Sequence, residues 1–376
     1  TNIESYGSTT YFIKQDQTLW GMGSNINGVP STATKVPTQI VNPNTPQTGY
    51  TGLAVGSNHA VFSKSDGKLY GLGDSTLGQL GFDENKPSPI PMAKQNRPFP
   101  AELPVTTPGI PVAGGNHTLF YDLIGQLWGS GDNTNGQFGD GTKVGKMNFV
   151  KIIDSGVVNI STNFGHSLYV KSDGSLWGMG SNWSGALGDG TTTDRISPVQ
   201  IVSSGVRSAS AGSMHSAFRK TDGSLWVMGA YKGGQLADST SPVKIMESGV
   251  NRVSCGMGFT VFTKEDGTLW GFGSNGRGQL GPNAANPQLT PVELFKFSSS
   301  STSSDSSSPS SSSNDSSTTS SFDPSNPPKT WTVPSASNLE MIWVEPGTFT
   351  MGSPTTESGR NSNETQHQVT LTRGFY

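Results

Sequence analysis

Gly271, Gly273 and Gly276 lie in LWGFGSNGRGQLG, residues 269–281, with the GxGxxG spacing that lets a pyrophosphate approach bare backbone at a helix N-terminus. That chemistry needs a strand before the glycines and a helix after them. Thr268, Leu269 and Trp270 read as a strand, but Gly278, Gly281 and Pro282 deny the chain a helix at that point. Four histidines, His59, His117, His166 and His215, recur at equivalent places and raise a metal site. Zinc needs ligands converging within about 2.1 Å of one point, whereas these stand in separate copies of a repeat with no carboxylate recurring beside them. A structural hydrogen bond from each to neighbouring backbone is the expectation. Ser216 follows His215, but adjacent strand residues point to opposite faces, so the two do not form a nucleophile and its base. No nucleophile elbow, P-loop or zinc-protease pattern occurs, and no catalytic, cofactor-binding or metal-binding residue is assigned.

The elements that carry these residues repeat. Aligning on the aromatic of the LW pair gives Trp20, Tyr70, Trp128, Trp177, Trp226 and Trp270, at roughly 50-residue intervals within the range of propeller repeats. In the fourth copy, Val157 to Val202, Ser167–Lys171 and Ser175–Met179 read as strands joined by Asp173-Gly174, a dipeptide suited to the positive φ angles of a tight hairpin. The turn recurs at Asp66-Gly67, Asp222-Gly223 and Asp266-Gly267, and is altered at Asp16-Gln17 and Ile124-Gly125. A Gly-rich loop follows, then a strand such as Pro198–Ile201, echoed at Pro242–Ile245 and Pro291–Leu294. Four antiparallel strands per unit, repeated radially, predict an all-β chain of propeller blades.

Comparing the copies separates scaffold from display. Three residues after each aromatic stands a glycine: Gly23, Gly73, Gly131, Gly180, Gly229 and Gly273. An absent side chain in every copy implies close strand approach or a special backbone angle. The loops then vary, at Ile26 and Asn27, Thr76 and Leu77, Thr134 and Asn135, Trp183 and Ser184, Lys232 and Gly233, Gly276 and Arg277. The candidate binding face is therefore Ile26, Thr76, Leu77, Thr134, Asn135, Trp183, Ser184, Lys232 and Arg277, with Trp183 and Arg277 of the residue types that dominate interfaces. Unconstrained solvent-facing loop is the alternative. Gly276 sits at one of these variable positions, so the third glycine of the fingerprint is a coincidence.

The sequence holds 376 residues with 49 glycines, about twice the usual share. A net charge of −3 without a Lys/Arg cluster argues against nucleic acid as a partner. No apolar run has membrane-spanning length. The lone Cys255 excludes an internal disulfide and reads as a small buried residue. The chain opens TNIESYGSTT, with neither a signal-peptide pattern nor an initiator Met, from which a missing upstream part is expected. Residues 95–108 form a proline-bearing insertion between the second and third units. Residues 298–330 are a Ser/Pro-rich spacer that cannot bury a core, separating the propeller (1–297) from a C-terminal segment (331–376). There Met341–Val344 and Gln368–Leu371 read as strands around a polar loop.

The succession of a Gly, a His, an apolar strand, DGxLW, GxG and GQLG resembles the regulator-of-chromosome-condensation repeat over residues 1–297. The resemblance implies seven blades where six copies are visible; closure with six is the alternative. Beyond the spacer, Pro346-Gly347, Phe349, Met351-Gly352-Ser353, Glu357 and His367-Gln368-Val369 resemble the opening of the formylglycine-generating (sulfatase-modifying factor) domain. That implies the start of an α+β domain whose paired copper-binding cysteines are not among these residues. The function expected is non-catalytic recognition of a protein or other macromolecule through the variable loops, without a cofactor. The alternatives are guanine nucleotide exchange, inhibition of a secreted enzyme, and a formylglycine-generating-type oxidase in the full-length protein. The serine-rich spacer suits a bacterial extracellular or cell-surface protein.

Overall fold

The computed structural model describes residues 2–23, 34–41, 47–81, 97–105, 107–230 and 239–296, and beyond them 330–332, 340–342, 347–351 and 367–371. The chain divides into two compact units, Thr1–Ser300 and Ser301–Tyr376.

The first unit is a propeller of six blades, each a four-stranded antiparallel meander in chain order. Blade 1 is β1–β4 (Asn2–Tyr6, Thr9–Ile13, Leu19–Gly23, Thr34–Gln39) and blade 2 is β5–β8 (Tyr50–Val55, His59–Lys64, Leu69–Gly73, Arg97–Glu102). Blade 3 is β9–β12 (Gly109–Ala113, His117–Asp122, Leu127–Gly131, Lys146–Ile153) and blade 4 is β13–β16 (Val157–Thr162, His166–Lys171, Leu176–Gly180, Arg195–Val202). Blade 5 is β17–β20 (Val206–Ala211, His215–Lys220, Leu225–Gly229, Ser239–Met246) and blade 6 is β21–β24 (Val250–Cys255, Phe259–Lys264, Thr268–Gly273, Gln288–Lys296). In the second unit β25 (Thr330–Thr332) pairs β26 (Glu340–Ile342), and β27 (Gly347–Met351) pairs β28 (His367–Leu371). The expected strands at Met341–Val344 and Gln368–Leu371 thus overlap two strands, each beginning one residue earlier than expected. The serine-rich spacer lies outside the described residues up to Thr330.

Each recurring residue has a place in the blade. The LW aromatic stacks on the aromatic of the preceding strand, with ring centroids 6.0–6.4 Å apart in blades 1, 3, 4, 5 and 6. The Asp-Gly hairpin is three residues long rather than two: Gly174 N–H donates to the Lys171 carbonyl and only the glycine has positive φ, at 78°. This is a type I turn closed by a left-handed residue, so the aspartate does not take the positive φ of a two-residue turn. Blade 1 keeps the geometry with Gln17 at φ 62°. After the aromatic, Gly180 combines φ 99° with backbone approach, since a Cβ there would overlap the Gly165 carbonyl and the His166 Cα. Both reasons expected for that glycine therefore hold.

Inner strands of successive blades pack on one another, β1 on β5, β5 on β9, β9 on β13, β13 on β17 and β17 on β21, whereas β21 and β1 make no comparable contact. Equivalent residues register the difference. Leu53, Ile160 and Ala209, opposite the second-strand aromatics of blades 2, 4 and 5, are 8 %, 5 % and 9 % exposed. Ile3, opposite Phe12, is 64 % exposed, and Val253, opposite Phe262, is half-buried. A cavity of about 930 Å³ runs along the axis and opens into this seam, between Thr10 and Met22 of blade 1 and Val261 and Leu269 of blade 6. The chain forms six blades, not the seven that the resemblance implies.

Candidate recognition face

In a meander of four strands, the first and third connections share one end of the blade and the second lies at the other. The first turns and third loops are stitched together: the amides of Asp74, Ser181 and Ser274 donate to the carbonyls of Asn58, Gly165 and Gly258 at 2.8, 2.8 and 2.7 Å. The described variable loops, those of blades 2, 3, 4 and 6, therefore stand on one rim.

Their backbone is fixed by two residues that internal comparison did not single out. Asn182 is buried; its Oδ1 accepts from Leu187 N at 2.9 Å, while Nδ2 donates to Asp189 Oδ1 at 2.9 Å and to the Thr191 carbonyl at 3.0 Å. Asn133 and Asn275 do the same in their loops, taking Phe138 N and Leu280 N at 2.9 and 2.8 Å. The signal was available in the recurring Asp132-Asn133, Ser181-Asn182 and Ser274-Asn275. The glutamine of GQLG supplies the second clamp. Gln79, Gln137 and Gln279 accept through Oε1 from the amides of Leu77, Asn135 and Arg277 at 2.9, 3.0 and 2.9 Å. The backbone of the variable position is held, and its side chain is left to vary.

Of the nine residues expected on this face, Thr76, Leu77, Thr134, Trp183 and Arg277 are exposed, Trp183 by 60 %. Asn135 is half-buried, its amide against Gly165 of the next blade. Ser184 is buried and is not a surface residue; its loop also differs in having Ala186 where Gln79, Gln137 and Gln279 stand in theirs. Ile26 and Lys232 lie outside the described residues. The first turns add two apolar side chains to this rim that the sequence comparison missed, Phe164 at 47 % and Met257 at 69 % exposure. Tyr6 of blade 1 meets Phe164 of blade 4 edge to face at 5.5 Å, across the axis.

The histidines form a buried layer beneath the rim. His59 Nε2 lies 3.0 Å from Thr118 Oγ1, His117 Nε2 2.7 Å from Thr162 Oγ1, His166 Nε2 2.8 Å from Ser216 Oγ and His215 Nε2 3.0 Å from Thr260 Oγ1. Each bond crosses to the next blade. The Nε2 partner in each is a side-chain hydroxyl, at a register that no single repeat reveals, and His59 also meets the backbone of His117. Thr118 Oγ1 donates to the Gln79 carbonyl at 2.6 Å, so His59 must donate through Nε2–H. Burial pushes His59 and His166 down to about 4, and His117 and His215 to about 3. All four are neutral links. The His166–Ser216 contact has the length of a catalytic pair, but both residues are sealed between blades 4 and 5. Among the described residues no group of three or more His, Cys, Asp or Glu is placed to hold a metal ion.

The opposite rim is nearly constant. In blades 1, 4, 5 and 6 the hairpin aspartate accepts from a hydroxyl (Thr18, Ser175, Ser224, Thr268), which accepts in turn from the indole N–H at 2.7–2.9 Å. Lys171, Lys220 and Lys264 lie over those rings at 5.2, 4.9 and 4.2 Å. The altered hairpin of blade 3 exposes Leu123 and Ile124 there.

Comparison with known proteins agrees with this geometry. The Regulator of chromosome condensation (RCC1) repeat matches residues 173–219 and 250–279. A stretch of 103 residues, 27 % of this chain, is 34 % identical to the ultraviolet-B receptor UVR8 of Arabidopsis thaliana and spans 22 % of that receptor's length. Human WBSCR16 superposes with a TM-score of 0.67 at 22 % identity, over 77 % of this chain and 79 % of the other. Prp20p of Saccharomyces cerevisiae gives 0.66 at 19 % identity, over 78 % and 76 %. The chain carries RCC1 repeats and folds as a six-bladed propeller similar to these proteins.

Proposed function

We propose that the propeller is a non-catalytic recognition module that binds a protein partner through the loop rim, carried ahead of the serine-rich spacer and the segment resembling a formylglycine-generating domain. The observation behind it is the exposure of Trp183, Phe164, Met257 and Leu77 on one rim, on backbone that buried asparagines and glutamines hold rigid. Large apolar side chains on a prepaid scaffold are what an interface core requires, because little entropy is lost when they are covered. Arg277 adds a planar donor for a carboxylate or a backbone carbonyl. Prp20p has binding properties toward Gsp1p and histones, and a protein ligand on this related fold is consistent with that. Inhibition of a secreted enzyme is the second reading, favoured by the two aromatics on the same rim. The test is capture from the source organism's extract with the native chain and with Trp183→Ala/Arg277→Ala. Loss of the native chain's partners, at unchanged melting temperature, is expected; full retention of every partner would remove this rim from the proposal.

A further inference from the structure

Among the described residues, the exposed apolar side chains of the loop rim are densest over blades 3 and 4. To Phe164 and Trp183 this sector adds Val144, in the loop between β11 and β12, and Ile196, the second residue of β16, both exposed. Contacts between the two blades run from the axis outward. Phe164 lies against Gly115 of blade 3, where a Cβ would stand 3.2 Å from its Cδ1, and Asn135 lies against Gly165 of blade 4. The next residue, Gly136, packs on Ile196, and Gly141 N–H donates to the Ile196 carbonyl at 2.8 Å. Lys143, beside Val144, reaches Asp194 at 3.3 Å; Asp194 in turn accepts from the Asn182 amide at 2.8 Å, next to Trp183. The loops of blades 3 and 4 thus form one surface.

The charges of that surface are neutralised within it. Lys143 pairs with Asp194, Lys146 with Asp140 at 2.8 Å and Arg195 with Asp189 at 2.6 Å. The described carboxylate left over, Asp132, accepts from the Thr134 amide at 2.9 Å and hydroxyl at 3.2 Å. A charged residue arriving here would have to displace one of these partners or be covered without one, whereas an apolar residue disturbs none of them. We propose that this sector takes an uncharged, apolar segment of the protein partner, lying across the boundary between blades 3 and 4 from Phe164 to Val144, Trp183 and Ile196. The inference rests on the loop rim being the recognition face and adds the chemistry of what is recognised: shape and apolar contact, without steering by charge.

Peptides selected from a random library on the full chain, with the Trp183→Ala chain used to remove those that bind elsewhere, supply the probe. The positions of the selected peptides that matter for binding should be apolar and uncharged. Their affinity, read by fluorescence anisotropy of the labelled peptide, should change by less than about twofold between about 50 and 500 mM NaCl. Val144→Asp and Ile196→Asp should each weaken binding by about tenfold or more at unchanged melting temperature, because the new carboxylate would be covered without a partner. Leu123→Asp, on the opposite rim, should bind as the native chain does. A selection rich in acidic or basic residues, an affinity that falls about tenfold over that range of salt, native binding by both aspartate variants, or no peptide that distinguishes the native chain from Trp183→Ala would each overturn the proposal. Partners from the extract that are lost with Trp183→Ala/Arg277→Ala but retained by Val144→Asp and Ile196→Asp would leave the loop rim as the recognition face and remove this sector as the seat of an apolar segment.

Discussion

The two rims of the propeller are built from the same six repeats and have diverged in opposite directions. On the hairpin rim the side chains satisfy one another, aspartate to hydroxyl to indole in four blades, with lysine over the aromatic ring in five. Within that relay each residue is a partner of another, and in blades 1, 4, 5 and 6 the rim scarcely varies. On the loop rim the clamping is done from below by Asn182 or Gln279 acting on main-chain amides, so the side chains above are relieved of structural duty. Surface variability in this fold follows from which atoms carry the hydrogen bonds. Side-chain networks freeze a sequence; main-chain clamps free it.

Both rims hang on the histidine layer, and its removal has the largest expected effect. The unfolded chain takes up protons near pH 6.5, whereas burial keeps the four histidines neutral to about 4 or 3. The unfolded state therefore binds more protons throughout that interval. Stability from this source is complete above pH 6.5 and is lost as pH falls toward 4 and 3, by up to about 1.4 kcal/mol per pH unit for each histidine. Urea unfolding at several pH values should show the slope, and His166→Phe should make it shallower; an unchanged slope would contradict the placement of His166.

Gly180→Ala should cost about 3 kcal/mol or more, because the backbone conformation and the Gly165 carbonyl both exclude a side chain. Thermal melting reads that effect, which separates the invariant base of a loop from its variable tip. On the hairpin rim Ser175→Ala should cost about 1 kcal/mol through loss of the hydroxyl relay and should alter the emission of Trp177. At Gln17, which holds φ 62° with a side chain, Gln17→Gly should stabilise by about 0.5 kcal/mol. A loss there would mean that the first hairpin departs from the geometry of the others.

The blade was legible in the sequence because its determinants are local. Asp173-Gly174, Trp177 and Gly180 lie within eight residues and recur in every unit with few exceptions. Apart from the Asn and Gln clamps inside the loops, what the sequence does not show lies between units. The hydroxyl that receives His59 is 59 residues away, on a neighbouring blade, and only closure of the boundary brings the two together. Phe164 is exposed and Ser184 buried at positions whose residue types alone do not announce it. Internal comparison identifies which positions vary, but exposure is a property of the assembled ring.

The most direct test sets one rim against the other. A photo-crosslinking amino acid placed at position 183 on the loop rim, and separately at the exposed Leu123 on the hairpin rim, should be compared in the source organism's extract for specific adducts. Recognition through the loop rim predicts a discrete partner adduct from position 183, suppressed by excess native chain, and none from position 123. A competable adduct from position 123 alone would contradict it.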